Sequence, residues 1–287
     1  MELPLQPPPT PHMVELDESC VARFRDTIAT KGVPLSKSSA ATWARCPARW
    51  SFTVVEGLSE AMGGYYPLLG MACHEVVAKF ISGDLEAASA LSGALSGAGV
   101  NPAMLPAATE WVQWAVDLVR QRHGRVIAVE QRVRASHIDG VTLTGRFDLV
   151  LAEGVVAPLE LLDWSFGTHP KHESAEAMAA DVGTTIYRVL LASSEPALPE
   201  HVAITDVHVP SGKVLSVQLT KEEVLRTWRD IRKIRDGIRS VAEDGWVEAR
   251  PGQPCHGCPY QWRCPYSPAA VGQSADARDR QSALRRI

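Results

Sequence analysis

At 287 residues, with 45% hydrophobic and 22% charged side chains, the chain has the make-up of an ordinary soluble globular protein with ample apolar material for one large domain. Its net charge of −4 gives no global basic footprint, so any nucleic-acid binding has to come from a local patch. No apolar run is long enough to span a bilayer, and the opening MELPLQPPPTPHM lacks the basic and apolar regions of a secretory signal. A cytoplasmic location with no membrane partner is therefore expected.

Residues 1–12 read as a proline-rich tail, 13–270 as a single domain and 271–287 as a second, polar tail. Val14 to Thr30 has helical spacing and stops near Gly32, and Ser38 is placed to cap a short helix carrying Trp43 and Cys46. Leu68 to Ile81 predicts a helix with His74 and Glu75 in its middle, followed by a weakly helical stretch to Val100. Ala107 to His123 is amphipathic, with Trp111, Trp114, Ala115, Leu118 and Val119 on one side. The period then changes to that of strands. Arg125 to Ile138 and Val141 to Ala152 flank an Asp139-Gly140 hairpin signal, and Val155 to Trp164 makes a third strand. A helix is expected over Ala175 to Ser193, then a second hairpin, His201 to Val209 and Lys213 to Leu219, around Pro210-Ser211-Gly212. Thr220 and Glu223 form a capping box that opens a long helix to about Glu243. Helices before and after a central sheet with mixed connections indicate an α/β core.

Three features carry chemistry. Cys255, Cys258 and Cys264 form a C-x2-C-x5-C run, and three clustered thiolates usually want a fourth ligand; Cys46, in its own Cys-Pro context, is the best candidate. Zinc and an iron–sulfur cluster both fit four cysteines, and His256 stands between two of them. Cys20 and Cys73 read as small buried hydrophobes. Asp148 and Asp163 lie on adjacent apolar strands, where two buried carboxylates are costly unless they share a cation. With His74 they can hold Mg²⁺ or Mn²⁺, and Glu130 can assist. Asp117, Asp139, Asp206 and Asp230 read as surface or turn residues. For DNA contact the candidates are Arg226, Arg229 and Lys233 on the late helix and Arg122 and Arg125 before the sheet, with Tyr260 and Trp262 able to stack on bases.

The ordered set is Ser-x7-Cys-Pro at Ser38 to Pro47, Gly-x-x-x-His-Glu at Gly70 to Glu75, Gly-Arg-x-Asp at Gly145 to Asp148, an apolar strand ending in Asp163, and a closing cysteine trio. It resembles the PD-(D/E)XK nuclease superfamily in its RecB-like iron–sulfur branch, to which the nuclease domain of AddB and the CRISPR-associated exonucleases belong. The resemblance implies a restriction-endonuclease-like core, a mixed central sheet flanked by helices, with a helical, cysteine-ligated iron–sulfur lobe formed by about 36–56 and 245–268. It implies catalytic His74, Asp148, Asp163 and Tyr187, with His74, Asp148 and Asp163 as Mg²⁺ or Mn²⁺ ligands and the Trp164 carbonyl as an added one. It further implies a structural [4Fe-4S] cluster on Cys46, Cys255, Cys258 and Cys264, and single-stranded or end-bearing DNA as substrate. A protein partner in a recombination, repair, CRISPR or phage system is a further expectation.

Two departures stand out. The pattern Asp-x-Lys-Thr-Gly appears as Asp163-Trp164-Ser165-Phe166-Gly167, without the lysine, and Gln-x-x-x-Tyr appears as Gly183 to Tyr187, without the glutamine. Lys171 is long enough to reach in from the following loop. Three functions therefore stand open: a metal-dependent exonuclease, a nuclease-fold DNA-binding or assembly subunit that does not cleave, and a zinc-stabilised interaction module whose acids are incidental.

Overall fold

The computed structural model describes residues 12–59, 65–83, 91–122, 124–152, 159–194, 202–252, 255 and 257–267. The expectations for residues 1–11, for the tail 271–287 and for His256 lie outside them. The elements run β1 (His12–Glu15), α1 (Glu18–Lys31), β2 (Val33–Leu35), α2 (Lys37–Arg45), α3 (Pro47–Val54), α4 (Tyr65–Ile81), α5 (Leu91–Gly97) and α6 (Leu105–Gln121). Then come β3 (Arg125–Ile138), β4 (Val141–Ala152), β5 (Leu159–Ser165), α7 (Ala175–Ala179), α8 (Val182–Ser194), β6 (Val202–His208), β7 (Lys213–Gln218), α9 (Lys221–Asp244) and β8 (Trp246–Ala249). The chain divides into two compact units, one of residues 1–33, 38–63 and 233–287, the other of 34–37 and 64–232.

The second unit holds a mixed sheet ordered β2-β4-β5-β6-β7, with β3 paired to β4. The β3–β4 hairpin turns at Asp139 and Gly140, whose φ values of 54° and 73° are those a two-residue hairpin turn needs. β4 and β5 are antiparallel, β5 and β6 parallel, and β6 and β7 antiparallel. The parallel register sets Asp163 directly opposite Asp206. One apolar layer joins Ala72, Val76 and Val77 of α4 and Val112 and Ala115 of α6 to Leu149, Leu162, Trp164 and Val207 of the sheet. Strand alternation sends Asp163 the opposite way from Leu162 and Trp164. On that side stands α8, close enough that a Cβ on Gly145 would lie 2.7 Å from Leu190 Cδ1.

In the first unit β1 pairs antiparallel with β8. Its core gathers Phe24, Trp50, Phe52 and Tyr260, with Trp43 and Trp50 edge to face at 5.2 Å. A Cβ on Gly237 of α9 would come within 2.9 Å of Trp43 Cζ2, so only glycine lets the helix lie this close to the indole.

Four expectations are revised. Val14 and Glu15, expected to begin a helix, and His12, expected in the tail, lie in β1 because their backbone bonds are met by a strand from the far end of the chain; α1 begins after Asp17, whose carboxylate accepts from Cys20 N. α2 opens at Lys37, one residue before the serine expected to cap it. The helix expected over Ala175 to Ser193 is two, because Asp181 accepts from Thr184 N at 3.1 Å and starts α8 afresh. Cys20 is half-exposed and accepts from Arg23 Nη2, whereas Cys73 is fully buried, its thiol pushed up to about 12 by burial. The Thr220–Glu223 capping box forms as written: Glu223 N donates to Thr220 Oγ1 at 3.2 Å and Thr220 N to Glu223 Oε2 at 2.8 Å.

Candidate functional site

His74 from α4, Glu130 from β3 and Asp148 from β4 point ligand atoms within 4.8 Å of one another. His74 Nδ1 is buried, 3.4 Å from Glu130 Oε1 and 3.6 Å from Asp148 Oδ2, and has no hydrogen-bond partner. An imidazole nitrogen left without a partner between two carboxylates has the donor chemistry of a divalent-metal ligand, so these residues fit Mg²⁺ or Mn²⁺. Glu130 sits at φ 49°, a left-handed conformation costly for a residue with a Cβ, and strain of that kind concentrates at functional positions.

The charges around the pair of acids are unequal. Asp148 is buried, and desolvation with the nearby Asp163 charge pushes its pKa up to about 6, against the pull of His74 and of Trp164 N, which donates to its Oδ2 at 2.8 Å. Asp163 is also buried, yet Lys171 and Lys37 outweigh desolvation and hold its carboxyl well below the usual range. Both lysines donate to Oδ2, Lys37 at 2.5 Å, and Tyr187 donates its hydroxyl to Oδ1 at 3.1 Å. Burial alone would lower His74, but Glu130, Asp148 and Asp163 together raise it. Burial and both aspartates push the Tyr187 phenol far up, so it remains a donor.

The structure thus brings His74, Asp148, Asp163 and Tyr187 into one neighbourhood, with Glu130 closer to the His74–Asp148 pair than Asp163 is. The Trp164 carbonyl accepts from Lys171 at 3.2 Å. Asp206, expected at the surface, is buried: His172 Nδ1 lies 2.9 Å from its Oδ2, and Lys171 stands 3.9 Å from its Oδ1. An aspartate inside a parallel sheet needs such partners, and neither adjoins it in sequence. Lys37 and the role of Asp206 escape a reading of the sequence, since neither belongs to a periodic pattern or a motif.

Contacts with Asp181 and Asp206 push His172 up to about 9. Its folded pKa exceeds its unfolded value, so its stabilisation, on the order of 2–3 kcal/mol, is complete below pH 6.5 and lost as pH rises through 9. Urea unfolding at pH 6 and pH 9.5 should show this loss, and His172→Gln should remove the part due to this residue.

In the first unit, Cys46, Cys255, Cys258 and Cys264 line one cavity together with Arg49, Phe52 and Tyr266. Burial raises Cys258 and pushes Cys264 up to about 11, and each feels the charge of the neighbouring cysteines. Four thiols converging on one cavity have the donor chemistry for an iron–sulfur cluster or zinc. Of the stacking candidates, Trp262 is half-buried but Tyr260 is fully buried, its hydroxyl bonded to Thr53 Oγ1 and the Leu58 carbonyl, and it has no face to offer a base. Arg226, Arg229 and Lys233 are exposed on α9, Arg226 with Glu223 at 4.0 Å, while Arg122 pairs with Glu160. Among the described residues no helix is long and apolar enough to cross a membrane.

Two solved structures are similar over most of their length. SSO0001 aligns at 10% identity and a TM-score of 0.37, covering 87% of this chain and 96% of that one. A protein described as a candidate exonuclease from Eubacterium rectale aligns at 9% identity and 0.47, covering 85% and 93%. No curated protein matches the sequence significantly. The profile of the PD-(D/E)XK nuclease superfamily matches residues 34–265.

Proposed function

Since the chain belongs to the PD-(D/E)XK nuclease superfamily, we propose that it is a metal-dependent DNA exonuclease, hydrolysing phosphodiester bonds in single-stranded or end-bearing DNA and braced by a [4Fe-4S] cluster. The observation that carries this reading is the meeting of His74, Glu130 and Asp148 from three separate elements, with a partnerless imidazole nitrogen between the acids. Held by His74, Asp148 and Asp163, with Glu130 beside them, Mg²⁺ or Mn²⁺ would supply an activated water and neutralise charge on the phosphoryl group. Tyr187 fixes the Asp163 carboxylate through Oδ1 and the two lysines hold it ionised through Oδ2. Trp164 N orients Asp148. Exposed Arg226, Arg229 and Lys233 are our candidates for meeting the DNA backbone.

For the cysteines, the resemblance points to a cubane cluster, and four thiols lining one cavity support a four-cysteine metal site. A reducing, cytoplasmic setting suits such thiolates. The second reading, a nuclease fold that binds DNA or a partner in a recombination, repair, CRISPR or phage assembly without cutting, rests on the neutral Ser165. Two ammonium groups on Asp163 weigh against it.

The test is a cleavage assay on anaerobically purified protein with Mg²⁺ and Mn²⁺, alongside iron quantitation. Brown, iron-containing protein that degrades DNA is expected. Iron without turnover would leave the non-cleaving reading, and colourless zinc protein would leave the interaction module.

A further inference from the structure

Lys37 and Lys171 reach the same oxygen of Asp163 but differ in what remains of each ammonium. Lys171 donates to Asp163 Oδ2 and to the Trp164 carbonyl at 3.2 Å, and its remaining side faces Asp206 Oδ1 at 3.9 Å. Two of its three donors are taken by protein acceptors, and the third has only the ion-pair approach of Asp206. Lys37 donates to Asp163 Oδ2 at 2.5 Å and otherwise lies over the Tyr187 ring, 4.7 Å from its centroid, with a side chain 20% exposed. Lys37 therefore keeps two donors unspent where Lys171 keeps one, and both side chains reach solvent, 20% and 34% exposed.

The route of its stem is equally specific. A Cβ on Gly183 would fall 2.5 Å from Lys37 Cγ and 3.2 Å from Cδ. Non-bonded carbons do not approach so closely, so the lysine takes this path only because residue 183 has no side chain. Ser165, on the Asp163 face of β5, is neutral and buried, its hydroxyl 3.5 Å from the Val207 carbonyl.

We propose that Lys37 is the cationic residue that meets the scissile phosphodiester, admitted to the site by the absence of a side chain at Gly183, while Lys171 is a positioning residue that holds Asp163. The neutral Ser165 and the bare Gly183 then form a single exchange: the charge missing from β5 enters from the start of α2 through space vacated on α8. This rests on the nuclease reading for its substrate, but the contact itself can be measured without turnover.

The experiment is binding of a single-stranded oligonucleotide in chelator, read as the slope of log affinity against log salt, with cleavage rates in Mn²⁺ measured separately. A lysine in contact with a phosphate contributes about 0.7 to that slope on single strands. Lys37→Met should lose that increment and lower kcat about 10²–10³-fold, the cost of one preorganised donor. Lys37→Arg should keep the slope, and Lys171→Met should leave it unchanged. Gly183→Ala should reproduce the Lys37→Met loss, with no further loss in the double variant; if Lys37→Met does not fold, Gly183→Ala and Lys37→Gln read the same slope. A wild-type slope in Lys37→Met, or the loss appearing in Lys171→Met instead, overturns the proposal. Wild-type protein that binds with a Lys37-dependent slope but never cleaves preserves the contact and removes the nuclease reading; failure to bind removes both.

Discussion

Asp148→Asn should abolish Mn²⁺-dependent cleavage, by at least about 10³-fold, while leaving the metal-free protein more resistant to heat. The two effects share one cause. Asp148 is buried beside the Asp163 carboxylate, and both desolvation and like charge oppose its ionisation. Folding without a metal therefore works against a charge that the reaction needs. Asparagine removes the charge but keeps an oxygen to accept from Trp164 N, so no buried amide is orphaned. A relief of about 1 kcal/mol corresponds to a rise of about 2–4 °C in a chain of this size. Mn²⁺ should raise the melting temperature of the wild type, since a ligand of the folded state stabilises it, and should do so far less for the variant. Differential scanning calorimetry at pH 7.5 with and without Mn²⁺ reads both. A variant that still cuts DNA would detach Asp148 from catalysis, and a lower metal-free melting temperature would mean that its charge is already compensated.

What could be read from the sequence was whatever is local or strongly patterned. The hairpin over 125–152 was legible because a two-residue Asp-Gly turn separates long strand-like runs, and that turn sets the register without help from elsewhere. His74, Asp148, Asp163 and Tyr187 were legible as members of ordered motifs. Lys37 was not: it belongs to the charge balance of a strand 126 residues away, and only the fold shows that Gly183 leaves it a path. Asp206 looked like a surface acid because nothing nearby in sequence announces His172 and Lys171 as its partners. Tyr260, in a short loop among cysteines, suggested an exposed ring, but Thr53 and Leu58 draw its hydroxyl into the interior. β1 was hidden for the same reason, since its partner lies at the other end of the chain. In each case the missing information was a long-range partner, which composition and period do not carry.

The cysteine assignment leads to the other large effect. Cys46 begins α3 through its backbone, and its side chain makes no capping hydrogen bond there. As a free, half-buried thiol it would be close to dispensable, and Cys46→Ala would change stability by no more than about 1 kcal/mol. As a cluster ligand it adds a metal-mediated cross-link between the N-terminal segment and the trio at Cys255, Cys258 and Cys264, closing a loop of roughly two hundred residues. A cross-link over a loop of that length removes on the order of 5 kcal/mol of denatured-state entropy. Cys46→Ala purified anaerobically should then lose its iron and its brown colour, and its melting temperature should fall by about 10 °C or more. The same substitution made in protein already stripped of metal should have almost no thermal effect, because the tie is gone before the residue is. That difference between metal-loaded and stripped protein is what isolates ligation from packing. Unchanged iron content together with a transition within about 2 °C of the wild type would take Cys46 out of the ligand set and leave the trio to find its fourth partner elsewhere.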